Sequence, residues 1–254
     1  MKIVILAGGQ GTRLSEYTKI IPKPMVKVGT KPILFHITDQ YKKHGFKEFI
    51  IATGYKGEYI EKYFKQSTNF IELYDQFSNK AELLFKEKKT ETTFLLVKTG
   101  LKTMTGGRIK RLYHHLKNDS FMLTYGDGVC DVNIKKLLSF HKKNKKLVTV
   151  TAVRPPSRFG ALKFGTKSSM VIGFEEKTGF FDSWINGGYF VVEPAFLKYL
   201  KSDSTYLERE PLKIVTKKKQ LVAFKHEGFW QCMDTIRDKK KLELFYKDKK
   251  NNEK

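Results

Sequence analysis

The sequence predicts an α/β fold: a mixed, mainly parallel sheet flanked by helices, with a small antiparallel extension. Three observations predict it. Short apolar, β-branched runs recur at residues 3–7, 49–52, 121–125 and 147–153, each the length of a buried strand. Segments with helical spacing lie between the early runs, and this alternation is the pattern of a parallel sheet covered on both sides. After residue 154 strand-like runs follow one another closely, which suits antiparallel neighbours. The 254 residues are enough for one large α/β domain or two small ones. No linker or internal repeat divides them. The reading is one domain over 1–246, with a first half of about 1–130 and a second of about 131–246. The tail, 247–254, holds only Lys, Asp, Asn and Glu and is expected to fray.

In chain order, the first apolar run, Ile3 to Ala7, leads into Gly8, Gly9 and Gly11. A glycine loop offers backbone N–H groups to an anion, and Arg13 and Lys23, the latter between Pro22 and Pro24, add full positive charge. This is the outline of a polyphosphate site. The spacing excludes two familiar loops. The dinucleotide fingerprint needs a small residue where Leu14 stands, and the P-loop's Gly-Lys-Ser/Thr is missing. Ile33, Leu34, Ile37 and Tyr41 then have helical spacing up to Gly45. Phe49 to Ala52 reads as the second strand, and residues 58–65 as a short helix after the turn Gly54-Tyr55-Lys56-Gly57. Residues 66–98 read as an insertion with extended segments at 70–73, 83–85 and 94–97.

A second glycine loop, Thr99 to Arg108, opens a helix carrying Ile109, Leu112, Tyr113 and Leu116, and its N-terminus is a candidate for another part of an anionic ligand. Phe121 to Tyr125 is a buried strand followed by Gly126-Asp127-Gly128. A carboxylate at a strand end lies where open α/β sheets bind ligands, and a triphosphate site needs a Mg²⁺ ligand there. Residues 131–144 read as a helix. The runs at 158–162 and 171–174 form a hairpin, and 185–192 a further strand. Leu197, Tyr199 and Leu200 belong to a helix, and another starts near Pro211. The stretch from Phe224 to Trp230 leads to Met233-Asp234-Thr235.

Composition narrows the functional classes. The net charge is +23, yet only seven of the 49 basic residues are Arg. The Lys are scattered in the manner of a solvated surface, so neither nucleic acid nor a membrane is the expected partner. In a chain that mostly chooses Lys, each Arg marks a place where a planar fork matters, and Arg13, Arg108 and Arg158 fall in glycine-containing motifs. No apolar stretch is long enough to cross a membrane, and the start lacks a signal-peptide core, so the cytoplasm is the expected compartment. Cys130 and Cys232 are then read as free thiols. The six His, including His114-His115, form no convincing catalytic arrangement with Ser or Cys.

These motifs resemble the sugar nucleotidyltransferase family. The family pattern appears as Gly8-Gly9-Gln10-Gly11-Thr12-Arg13-Leu14 followed by Pro22-Lys23-Pro24. Further stretches resemble the branch that uses CTP and glucose 1-phosphate. They are Lys23-Pro24-Met25-Val26, Gly54-Tyr55-Lys56-Gly57, Met104-Thr105-Gly106-Gly107-Arg108, Thr124-Tyr125-Gly126-Asp127-Gly128, Arg158-Phe159-Gly160-Ala161-Leu162, Ile185-Asn186-Gly187-Gly188 and Gly228-Phe229-Trp230-Gln231 with Met233-Asp234-Thr235. They cover nearly the whole chain, residues 66–95 excepted.

The resemblance implies a Rossmann-like, nucleotide-diphospho-sugar transferase fold. It also implies an enzyme that makes CDP-glucose and pyrophosphate, with Mg²⁺ as cofactor, a homo-oligomeric assembly, and a pathway toward a surface polysaccharide. Carried over by residue, Leu6, Ala7, Gly8, Gly9, Gln10, Gly11, Thr12 and Arg13 wrap the nucleotide, joined by Lys23, Thr103, Arg108 and Gly126. Asp127 and Asp234 bind the metal. Gly160, Glu175, Lys177, Asn186 and Gly188 face the sugar. Arg13, Lys23, Asp127 and Lys177 carry the catalytic charges. Two departures stand out: Thr178 replaces the family's proline after the lysine, and Gln10 replaces a common Leu. Another sugar phosphate or pyrimidine nucleotide, an inactive binding module and a nucleic-acid-binding protein remain as alternatives. Pyrophosphate release separates them.

Overall fold

The computed structural model describes residues 1–73, 81–155, 161–166, 168–175 and 183–252. Its strands in chain order are β1 (Lys2–Ala7), β2 (Lys27–Val28), β3 (Lys31–Pro32), β4 (Glu48–Thr53), β5 (Phe70–Leu73), β6 (Glu82–Glu87), β7 (Thr93–Lys98), β8 (Phe121–Tyr125), β9 (Gly128–Cys130), β10 (Val148–Val153), β11 (Ala161–Phe164), β12 (Val171–Glu175), β13 (Ile185–Val192), β14 (Leu221–His226) and β15 (Trp230–Cys232). The helices are α1 (Ser15–Thr18), α2 (Ile33–Lys42), α3 (Gly57–Gln66), α4 (Thr105–Arg111), α5 (Tyr113–Leu116), α6 (Ile134–Asn144), α7 (Glu210–Lys217) and α8 (Ile236–Asn252).

A nine-stranded sheet runs in the order β14-β10-β13-β8-β1-β4-β7-β6-β5. Only β13 and β6 run against the rest, because each is antiparallel to both of its neighbours while the other central pairs are parallel. The sheet is thus mixed and mainly parallel, as the alternation predicts. β4 and β7 lie on one side of β1 and β8 on the other, so the chain reverses its order of strand addition between β1 and β8. Ligands bind beyond the carboxyl ends of the strands at such a point. The glycine loop after β1 and the Gly126-Asp127 turn after β8 both open there.

Both faces of the sheet are buried. Along β1, Ile3, Ile5 and Ala7 join one cluster with residues of α2, α3 and α6, while Val4 and Leu6 join the other with Ile109, Leu112, Leu116 and Phe196. Two-sided burial explains why this strand is a continuous apolar run rather than an alternating one. The segment 66–98 is fastened by aromatic packing. Phe64 lies 4.5 Å from Phe70 and 5.1 Å from Phe85, and Phe49 stacks on Phe94 at 5.1 Å. Its three extended runs become β5, β6 and β7.

Three elements differ from the sequence reading. β13 does not extend the hairpin of β11 and β12; it enters the main sheet between β10 and β8, and β11 and β12 form their own two-stranded sheet. The helix expected at residues 197–200 is a 3₁₀ turn, Pro194–Tyr199. α8 continues to Asn252, beyond residue 246, and is fastened just before that point, where Phe245 stacks on Phe229 at 3.7 Å and Tyr246 packs on His36 at 3.9 Å. Among the described residues no helix is long and apolar enough to cross a membrane.

Two glycines of the second glycine loop seat another segment of the chain. The Met104 and Gly107 N–H groups donate to the Asp203 and Thr205 carbonyls, at 2.8 and 3.1 Å. A Cβ on Gly107 would lie 2.4 Å from the Asp203 carbonyl oxygen. The glycines let residues 203–207 lie directly against α4. Gly107→Ala separates the two effects by sign. Helix propensity alone would stabilise the variant by about 1 kcal/mol. The blocked approach should instead destabilise it by about 1–3 kcal/mol, as overpacking does. Urea unfolding of both proteins measures which prevails.

Candidate active site

The cleft lies at the carboxyl ends of β1 and β8. It encloses a cavity of about 300 Å³ lined by Leu6, Ala7, Gly8, Gly9, Gly11, Thr12, Arg13, Lys23, Pro24, Thr103, Met104, Thr105, Arg108, Tyr125, Gly126, Asp127 and Tyr206. Every residue the sequence assigns to the nucleotide therefore borders it except Gln10. Gly11 turns the loop back at φ +63, a left-handed conformation that favours glycine, and Leu14 N–H closes a 3.0 Å bond to the Gly11 carbonyl. Thr12–Leu14 forms a 3₁₀ turn, and the Pro22-Lys23-Pro24 corner starts a second one, Lys23–Met25.

Lys23 is the centre of the charge arrangement. Its side chain is 7 % exposed, and its ammonium donates to Asp127 Oδ2 at 2.8 Å and to Asp234 Oδ1 at 2.7 Å. The exposed Arg13 donates from a terminal guanidinium nitrogen to Asp234 Oδ2 at 2.5 Å. Burial draws the Lys23 pKa down, but the charge of Asp127 and the bonds to both aspartates outweigh it, and it ends above its ordinary value. Burial pushes the Asp234 pKa up, but the bond and charge of Lys23 and the charge of Arg13 hold it below the usual carboxylate value. Burial, then the charge of Asp127, pushes the Cys232 thiol above its normal range.

Asp234 is held in place from behind. Thr235 caps α8: its hydroxyl accepts from Asp238 N–H at 3.2 Å, and Asp238 Oδ2 accepts from the N–H groups of Asp234 and Thr235 at 3.2 and 3.0 Å. This is a capping box with aspartate in the acidic position. Thr235-x-x-Asp238 before a helix is the sequence signature that could have marked Asp238.

Arg108 serves the loop rather than projecting free into the cleft. The side chain is buried, and its terminal nitrogens donate to Thr53 O at 3.1 Å, Thr99 Oγ1 at 2.7 Å, Gly100 O at 2.8 Å and Gly8 O at 2.9 Å. Burial, then repulsion from Arg111, pulls its pKa down to about 10, which still leaves it charged at neutral pH. A Cβ on Gly8 would lie 2.2 Å from one of its nitrogens, and a Cβ on Gly54 2.4 Å. The guanidinium therefore passes between two glycines and ties the loops after β1, β4 and β7 together.

On the other side, Tyr125 leads toward the second half of the chain. Its hydroxyl donates to Glu208 Oε1 at 2.5 Å, and Thr105 Oγ1 donates to Glu208 Oε2 at 2.7 Å. Burial, then the Glu208 charge, raises the Tyr125 pKa. Asn186 Nδ2 approaches the Tyr125 hydroxyl at 3.5 Å, and Gly188, at φ +81, leaves room for the Tyr125 ring. Asn186 and Gly188 thus adjoin the cleft through Tyr125. Glu175 ends β12, in the separate hairpin. Gly160, Lys177 and Thr178 lie outside the described residues. Tyr125, Tyr206 and Glu208 are site neighbours that sequence reasoning missed, since an ordinary tyrosine and glutamate 83 positions apart give no local pattern.

The carboxylates suit a divalent cation. Asp127 and Asp234 converge on one buried ammonium, which stands in for such an ion, and carboxylate oxygens are the donors Mg²⁺ prefers.

A family model described as Nucleotidyl transferase matches residues 2–243. The chain belongs to the nucleotidyl transferase family. This nucleotidyltransferase is 47% identical over 247 residues to the glucose-1-phosphate cytidylyltransferase of Salmonella typhimurium, a match covering 96% of this chain and 95% of that protein. It is 41% identical over 242 residues to the probable glucose-1-phosphate cytidylyltransferase of Bacillus subtilis, covering 94% and 93% of the two chains. Its fold is similar to the crystal structure of HddC from Yersinia pseudotuberculosis, with a TM-score of 0.69 at 22% identity over 96% of this chain and 99% of that one. Enzymes of this family take a nucleoside triphosphate and a sugar 1-phosphate and generally use a divalent metal.

The charge pair gives the metal-free nucleotidyltransferase a defined pH dependence. Asp234 has a folded pKa below its reference of 3.8, so its contribution is present above pH 3.8 and is lost as pH falls through the folded value. Lys23 behaves oppositely: its contribution is present below 10.5 and is lost as pH rises through the raised value. Melting temperatures measured in chelator should fall at both ends, and Lys23→Met should flatten both limbs. Limbs as steep in the variant as in the parent would refute the pairing.

Proposed function

We propose that this chain transfers a cytidylyl group from CTP to α-D-glucose 1-phosphate, giving CDP-glucose and pyrophosphate. The observation that carries the reading is the convergence of Arg13, Lys23, Asp127 and Asp234 at the reversal point between β1 and β8. The relatives' names supply the substrates. The reaction takes place in the cytoplasm, within a single domain over 1–246 whose nucleotide half is about 1–130 and whose sugar half is about 131–246. The assembly is a homo-oligomer, and neither nucleic acid nor membrane takes part.

In this reading the loop from Leu6 to Arg13 wraps the nucleotide phosphates, with Thr103 and Gly126 along the wall. Asp127 and Asp234 would hold Mg²⁺, which would neutralise triphosphate charge. The sugar phosphate attacks the α-phosphorus in line. A phosphomonoester has its second pKa near about 6, so the nucleophile is already dianionic at neutral pH and no general base is needed. The protein's task is alignment and charge neutralisation. Arg13 and Lys23 stabilise the charge that develops on pyrophosphate. Lys177 meets the attacking phosphate, and Gly160, Glu175, Asn186 and Gly188 face the sugar. Arg108 acts on the phosphates through the Gly8 carbonyl it holds.

Pyrophosphate release tests this, with CTP, UTP, dTTP, ATP and GTP crossed against several sugar phosphates. Release should require CTP, glucose 1-phosphate and Mg²⁺, and chelation should abolish it. Release with another pair would move the specificity, and no release with any pair would end the reading. Asp127→Asn should lower kcat by about a hundredfold or more while the circular dichroism spectrum is kept. An unchanged kcat would remove Asp127 from the site.

A further inference from the structure

The third acidic group facing the carboxylate pair is a thiol. Cys232 ends β15, which pairs with β9 so that Cys232 lies opposite Gly128, the residue after Asp127. Ligand atoms of Asp127, Cys232 and Asp234 all lie within 4.8 Å of one another. Cys232 is half-buried and forms no disulfide. Its neighbours are charged: Lys23, Asp127, Asp234 and Arg13 all act on it electrostatically.

We propose that Cys232 is a third ligand at the carboxylate pair, so that the site takes thiophilic divalent cations such as Zn²⁺ and Co²⁺ and these displace Mg²⁺. The inference rests on the metal reading of Asp127 and Asp234 above. Mg²⁺ is a hard ion that binds oxygen and has little use for sulfur, whereas zinc and cobalt bind thiolate and carboxylate together. On binding, the S–H bond breaks, the proton leaves to solvent, and a sulfur lone pair forms the S–metal bond without any redox change. The same three side chains therefore hold the two classes of cation differently: two oxygens for Mg²⁺, two oxygens and a sulfur for the softer ion. Lys23, whose ammonium occupies the space between the carboxylates, is the charge that either cation must replace. The consequence is inhibition by thiophilic metals at a site built for a hard one.

A second group, Cys130, Asp131 and His226, also has its ligand atoms within 4.8 Å of one another and supplies the control. Its thiol is 1% exposed and belongs to the apolar core with Tyr41 and Tyr189. Cobalt(II) titration of the full chain and of Cys232→Ser and Cys130→Ser reads the thiolate-to-cobalt charge-transfer absorption directly. The band should appear in the parent, persist in Cys130→Ser and vanish in Cys232→Ser. Its absence from the parent, or its loss in Cys130→Ser instead, overturns the proposal. Alkylation mapped by mass spectrometry covers a variant that fails to fold. In the unmutated protein Zn²⁺, and not Mg²⁺, should protect Cys232 from iodoacetamide, and equal alkylation with either ion counts against the ligand.

Inhibition gives an independent measure. Against each protein's own Mg²⁺-only rate, the zinc concentration for half-inhibition should be about tenfold or more higher in Cys232→Ser, since even supporting groups at metal sites change affinity by about 10–100-fold. An unchanged ratio rejects the ligand. Pyrophosphate release without the cobalt band would sink this inference alone. The band without release from any substrate pair would sink the cytidylyl transfer and leave the thiolate ligand standing.

Discussion

The site depends on a buried lysine ammonium shared by two aspartates. Removing a charged side chain from water costs several kcal/mol unless partners and hydrogen bonds compensate. Lys23 is 7 % exposed and has both. Its two partners come from segments 104 and 211 positions away, so three distant parts of the chain must arrive together before the charge is satisfied. The rigid corner between Pro22 and Pro24 narrows where the side chain can go. The strand β8 delivers Asp127, and the cap of α8 delivers Asp234. The sheet order brings them to one place, because the first strand and β8 are adjacent and both end there. Fold and charge arrangement are in this sense one constraint.

Two buried cations divide the work. Lys23 faces acids that a divalent cation could also take, so its partners are exchangeable. Arg108 faces carbonyl and hydroxyl oxygens, which remain protein oxygens whatever occupies the cleft. A planar fork with several donors suits the second task and a compact ammonium suits the first. The choice of Arg in a chain dominated by Lys has a structural explanation at this position.

Much of the fold was legible because burial on both faces writes itself into composition. β1, β4 and β8 are continuous apolar runs, and the glycine loop with Pro22-Lys23-Pro24 is a long local pattern. The strands of residues 66–98 were visible as runs, but their mutual packing, carried by Phe64, Phe70, Phe85 and Phe94, was not. The route of β13 into the main sheet was hidden because the side on which a strand pairs is not a local property. The same limit hid the pairing of Tyr125 with Glu208 and the closeness of Cys232 to Asp127. The packing role of Gly106 and Gly107 was hidden in the same way, because the segment they seat, residues 203–207, lies about a hundred positions away. The tail was read from charge alone, whereas Phe245 and Tyr246 carry α8 onto the body of the protein just before the charged stretch begins.

The passage of Arg108 between Gly8 and Gly54 links three positions that are far apart in sequence. Neither glycine can accept even a methyl group while the guanidinium lies there, since the nearest approach would be 2.2 Å at one and 2.4 Å at the other. The arginine, in turn, has a reason to stay only while the carbonyl of Gly8 and the ends of β4 and β7 keep their places. A side chain at either glycine would therefore have to displace the guanidinium, and with it the bonds to Thr53, Thr99, Gly100 and Gly8 that hold three loops at the rim of the cleft.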